Sequence, residues 1–111
     1  MQPNQQSLIV TNTETVPGKS IIIMHGVVTG STVRAKNIGR DIMAGFKNLA
    51  GGELKGYTEL LNESRTEAQQ RMMSQAIALG ANAIVNVRFA TSAVAGGAAE
   101  LFAYGTAVTV Q

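Results

Sequence analysis

The chain has no cysteine, no tryptophan, a single histidine and two prolines in 111 residues. Without cysteine there are no disulfides, no thiolate metal ligands and no thiol nucleophile, a composition that suits a reducing cytoplasm. No run of about eighteen apolar residues occurs, as a membrane-spanning helix would need, and the start MQPNQQSLIVTNT is polar with no basic segment ahead of an apolar one. The expectation is a cytoplasmic protein with no membrane segment and no signal peptide. Charge is scarce too: 14% of residues are charged and the formal net is +2, too little for a strong long-range field. So few charges would leave the surface covered by small and apolar groups, unless part of it is buried against another chain. That is a first pointer to a homo-oligomer.

What is present reads as one domain over residues 1–111, with residues 1–6 disordered or an extension. Residues 8–10 carry a brief strand signal, and the Pro-Gly pair within TVPGKS marks a turn. Residues 20–28 (SIIIMHGVV) are apolar at both alternating sets of positions. Ile21, Ile23 and Val27 fall on one face and Ile22, Met24 and Val28 on the other, as in a strand covered on both sides. In residues 37–49, Ile38, Ile42, Phe46 and Leu49 recur at helical spacing, and Gly51-Gly52 would stop that helix. Residues 58–79 give the clearest helix. Leu61, Ala68, Met72, Ala76 and Leu79 form its apolar stripe, Glu67 and Arg71 pair at i,i+4, Thr58 serves as a cap and Gly80 as the stop. Residues 83–89 alternate, with Ala83, Val85, Val87 and Phe89 opposite Ile84, Asn86 and Arg88. The tract 91–99 (TSAVAGGAA) reads as a loop, and residues 100–110 as a last strand with Phe102, Tyr104, Val108 and Val110 on one side. The order is β-β-α-α-β-β, an α+β two-layer sandwich with an antiparallel sheet packed against helices.

The stretch HGVVTGSTVRAKNIGRD has the glycines of a phosphate loop but not its chemistry. The Lys followed by Ser or Thr is missing, and the spacing is wrong. The simpler reading places Gly26 in a crowded strand and Gly30 in a turn.

Four blocks in one order, GVVTGSTVRAKNIGRDIMAG, NLAGGELKGYTELL, ALGANAIVNVRF and AYGTAVTV, resemble the YbjQ family of small bacterial and archaeal proteins, with a match running from Leu8 to Val110. The resemblance implies a two-layer subunit assembled into a pentameric ring. It also brings a heavy-metal-binding label with no agreed ligand residues.

Metal binding is judged on the donors in the chain. Soft metals favour thiolate and imidazole; here the one imidazole, His25, sits among apolar strand residues and reads as structural, and Met43, Met72 and Met73 read as packing residues. Asp41, Glu53, Glu59 and Glu63 form no recognisable hard-metal loop. Catalysis lacks a constellation. Ser20 and His25, five apart on a strand, point to opposite faces, and Asp41 is the sole aspartate, so no enzyme activity and no cofactor are expected. Arg34, Lys36 and Arg40, with Asn86 and Arg88, are the candidates for anion or subunit contacts. The basic stretch 34–55 contains only Phe46 in support, which falls on the apolar stripe. The absence of a stacking platform there argues against nucleic acid. The partner expected is the chain itself, as a pentamer by the resemblance, with a small ligand or metal ion between subunits as the alternative.

Overall fold

The computed structural model describes residues 7–34, 54–93 and 99–111. Its elements are β1 (Ile9–Val10), β2 (Ile21–Arg34), α1 (Leu54–Ala78), β3 (Ala83–Ala93) and β4 (Ala99–Val110). The helix expected over residues 37–49 and the disorder expected over 1–6 lie outside the described residues. The tract 91–99 is not simply a loop: β3 continues through Ala93 and β4 begins at Ala99, paired with each other at that end.

The sheet order is β1-β3-β4-β2. β4 runs antiparallel to both neighbours, while β1 lies parallel to β3, with Ile9 beside Ala83 and Val10 beside Ile84. The sheet is therefore mixed, not antiparallel. The reason lies in the Pro-Gly segment, which does not fold β2 back onto β1. Pro17 and Gly18, the latter at φ 78°, make a turn closed by Lys19 N–H donating to Val16 C=O at 3.0 Å. The chain then crosses to the opposite edge, where Ser20 and Gln111 exchange both backbone hydrogen bonds at 3.0 and 2.9 Å.

α1 starts at Leu54, so Thr58 lies inside it rather than capping it. Its end follows expectation. Gly80 at φ 86° sits just beyond, with Gly80 N–H on Ile77 C=O and Ala81 N–H on Ala76 C=O, a Schellman closure. Ala68, Met72 and Ala76 are fully buried, and Ser64 joins them. Leu61 and Leu79, at the two ends of the expected stripe, are 37% and 47% exposed, because that stretch of helix outruns the face it covers. Where α1 crosses β2 the backbones touch: a Cβ on Gly30 would stand 2.2 Å from the Ala68 carbonyl oxygen and 2.3 Å from the Met72 nitrogen. Gly30 is thus the crowded strand glycine. Gly26, at φ 125° with open space around it, belongs to a bulge within the same strand, so neither the crowding expected at Gly26 nor the turn expected at Gly30 is found.

The interior is divided between the two faces of the sheet. On the helix side Val28, Ala68, Met72, Ala76, Ile84, Val87, Ala103 and Ala107 form the main core, with Leu8 and Ala81 beside them. On the other side Val16, Ala83, Val85, Val108 and Val110 form a smaller one. β3 serves both by alternation, with Ile84 toward the helix and Ala83 and Val85 away from it, and its register then slips between Val85 and Arg88, where Asn86 adopts φ 55°. One extra residue turns every later side chain over. Ala83 and Val85 therefore face the small core and Val87 the main one, where unbroken alternation had all three together.

The largest departure concerns the first half of β2. Ile21, Ile22, Ile23, Met24 and Val27 are 41%, 53%, 50%, 71% and 72% exposed, although the sequence reads as covered on both faces. Two register shifts, at Ile21/Ile23 and Met24/Gly26, also break the assumed alternation. Further along, the outer edge of the same strand is occupied by the helix. Gln75 Oε1 accepts from Thr29 N–H at 2.8 Å, and the Arg71 guanidinium donates to Ser31 C=O while also pairing with Glu67 one turn back. These side chains stand where a fifth strand would bond, which blunts that half of the edge.

Candidate functional site

The bulge in β3 builds the most organised polar feature among the described residues. Asn is among the few non-glycine residues that tolerate left-handed backbone, and at Asn86 that geometry lets two consecutive N–H groups turn toward the segment after β1. Asn86 N–H donates to Thr13 C=O at 2.9 Å and Val87 N–H to Thr11 C=O at 3.0 Å. Within that segment the Thr13 hydroxyl donates to Thr15 C=O at 2.6 Å, and the Thr11 and Thr13 hydroxyl oxygens lie 2.8 Å apart. Arg88, next along the strand, directs one guanidinium nitrogen to Asn12 C=O at 2.8 Å and Val87 C=O at 3.0 Å. Asn86 and Arg88 are thus brought together, with Arg88 exposed.

Tyr104 lies opposite Arg88 in the β3–β4 ladder and beside Thr29 in the β2–β4 ladder. Its ring and that of Phe102 are 5.7 Å apart, tilted by 34°. Ala103 and Ala107, which alternate with them, belong to the helix-side core, so this aromatic pair is on the face away from α1. The strand alternation put Phe102 and Tyr104 on one side in the sequence; their meeting with Arg88 was hidden by the unforeseen bulge. Arg34 closes β2 opposite Ala99, far from this cluster in register. Lys36 and Arg40 lie outside the described residues. His25 is half-buried, and its Nε2 meets Thr109 Oγ1 at 2.8 Å, a cross-strand hydrogen bond.

Residues 8–111 match the family model described as "Putative heavy-metal-binding", YbjQ_1. The chain belongs to the YbjQ family. A UPF0145 protein of Hahella chejuensis is 64% identical over 104 residues, covering 94% of this chain and all of the relative. One of Archaeoglobus fulgidus is 54% identical over 107 residues, covering 96% and 99%. A crystal structure of a DUF74-family protein of unknown function from Pediococcus pentosaceus has the same fold, with a TM-score of 0.60, 18% identity, and coverage of 94% of this chain and 98% of that one.

The YbjQ description finds no donor set among the described residues, where no three His, Cys, Asp or Glu side chains converge. The imidazole already shares a hydrogen bond with Thr109, and a lone imidazole makes a poor soft-metal site without thiolates. Among the described residues no helix is long and apolar enough to cross a membrane.

Proposed function

We propose that the chain is a homo-oligomeric structural or binding module of the cytoplasm, without catalysis of its own, in which a second copy covers the first half of β2. The observation that carries this reading is the exposure of Ile21, Met24 and Val27 on the face away from α1, with Ile22 and Ile23 also bare at the same end of the strand. Their uncovered surface amounts to roughly 500 Å² per chain, as much as the largest apolar patches of monomers, and two such surfaces approach the ~1,000 Å² of a stable interface. The strand is also an edge, and its half-edge beyond Thr29 is already taken by Gln75 and Arg71, which directs pairing toward residues 21–27. The number five comes from the family resemblance alone. A second reading, a carrier of a small anionic ligand, is favoured by Arg88, which has two backbone acceptors and no carboxylate partner among the described residues.

Sedimentation equilibrium of untagged protein, diluted to low micromolar concentration, tests the first reading. A closed multiple of 11.6 kDa is expected, and Val27→Asp with Met24→Asp should shift it toward smaller species. A folded monomer of the unaltered chain overturns self-association; a closed assembly of another size overturns only the five.

A further inference from the structure

From the geometry of the face away from α1 we infer that Arg88, Tyr104 and Phe102 form a receptor for a planar aromatic anion, a flat ring carrying a phosphate or carboxylate group. The site is built by one chain, so it goes beyond self-association and deepens the ligand-carrier reading, on which it rests.

Three independent features converge there. Arg88 is held in place: one nitrogen is fixed by the Asn12 and Val87 carbonyls at 2.8 and 3.0 Å, and the rest of the fork has no protein partner among the described residues. A planar guanidinium fixed at one corner offers its remaining donors to an oxyanion in paired geometry, with little ordering left to do. The support behind it is strained backbone, Asn86 at φ 55°, bonded to the Thr11–Thr13 segment. Such strain persists only where surrounding structure enforces it, and it clusters at ligand clamps. Across the ladder stands Tyr104, 37% exposed, with Phe102 as the next ring on that face. An exposed ring beside a fixed cation accepts another ring by offset stacking while the cation takes the charge.

Ile21, Met24 and Val27 point to this same side of the sheet, but the surroundings of Tyr104 are more polar than theirs. Thr29 and Thr106 flank Tyr104 and Val27 in register, and Ser31 lies beside Phe102. Hydroxyls at those positions suit a small polar ligand, whereas the bare apolar side chains of residues 21–24 suit protein. Neither half of the ligand suffices alone: a single exposed cation is screened by salt, and the ring pair covers little area. Both groups on one molecule answer both features.

The chain has two tyrosines and no tryptophan, so Tyr57→Phe leaves Tyr104 as sole fluorophore. Adenosine monophosphate, adenosine and inorganic phosphate are titrated into that protein, with the emission corrected for adenine absorption at the exciting wavelength. Adenosine monophosphate should quench saturably, with the other two each bound about tenfold more weakly, as expected when a charge-assisted hydrogen bond or a stacking contact is lost. Arg88→Gln should weaken the nucleotide by about tenfold, Arg88→Lys by less, and Arg65→Gln on the outer helix surface should leave it unchanged. Arg88→Lys keeps the test open if Arg88→Gln does not fold. Absence of saturable quenching, equal binding of adenosine, or indifference to both Arg88 substitutions overturns the inference. So does quenching that follows a change of sedimenting mass rather than Arg88. Sedimentation of the same samples reads assembly separately, so a failed receptor and a failed oligomer are told apart.

Discussion

Gly30→Ala adds one methyl group to the chain and should be among its most damaging single changes. The Cβ would lie 2.2 Å from Ala68 O, 2.3 Å from Met72 N and 2.9 Å from Arg71 C. All three are backbone atoms of α1, so no rotamer change relieves the overlap. Ordinary contact near 3.4 Å requires the helix to withdraw by roughly 1 Å, and a gap of that size forfeits a quarter to a half of each dispersion contact along the seam. The seam is the main core: Ala68, Met72 and Ala76 against Val28, Ala103 and Ala107, all fully buried. Overpacking in well-filled cores costs about 1–3 kcal/mol, and an obstacle made of rigid backbone belongs at or above the top of that range. Gly105→Ala is the matched control. Its nearest obstacle is Ile84 Cγ2 at 2.8 Å, a side chain, with Val85 O at 3.0 Å and Val87 Cγ2 at 3.1 Å, so about 1–2 kcal/mol is expected there. Urea unfolding at fixed protein concentration, followed by circular dichroism, gives both values from the shift in midpoint at unchanged slope. A loss below about 0.5 kcal/mol for Gly30→Ala, or a larger loss for Gly105→Ala, refutes the close crossing of α1 over β2.

Asn82 bridges β3's approach to the end of β4, with Nδ2 on Val110 C=O at 2.9 Å and Oδ1 accepting from Val110 N–H at 2.7 Å. Asn82→Ala should therefore cost about 1–3 kcal/mol in the same urea assay, and a neutral result would show water replacing both bonds. Leu61→Ala should cost only about 1 kcal/mol, since that side chain is 37% exposed; a loss of 3 kcal/mol or more would mean that assembly buries it. Titration calorimetry with zinc and copper(I) should show weak binding at no fixed ratio. Submicromolar binding at a fixed ratio, lost in His25→Ala, would contradict the structural reading of that imidazole.

The long helix and its stop were legible because 3.6-residue periodicity and a following glycine are local signals: Ala68, Met72, Ala76 and Gly80 occupy the places that spacing assigns. The strand at residues 100–110 was legible for the same reason at period two. The mixed sheet was not, since whether a chain returns beside its predecessor or crosses to the far edge depends on the packing of Val16 against Val85 and Val108, contacts between segments distant in sequence. The bulge was equally hidden. Asn86 permits left-handed backbone without requiring it, so nothing local announces that Val87 changes face. Of the candidate contact residues, Asn86 and Arg88 fall in the bulged stretch of β3, and their neighbour Tyr104 emerged only once register was known. The exposed isoleucines show the limit of reading burial from hydropathy: apolar on both faces means covered by something, not by the same chain.

The slip at Asn86 also bears on which genetic changes the family can absorb. Substitution there acts on one residue's backbone preference, about 1–2 kcal/mol where left-handed geometry must be kept. Deletion of the codon is a different kind of event. Losing that one residue joins Val85 directly to Val87 and restores uninterrupted alternation, so Val87 and Arg88 keep the faces they have now. It is a replacement that flattens the bulge while keeping the residue that would turn Val87 out of the helix-side core and Arg88 toward α1. Tolerance of left-handed backbone at this point of the strand should consequently be held more tightly than length, and a relative lacking the residue should still keep its counterparts of Val87 and Arg88 on their present faces.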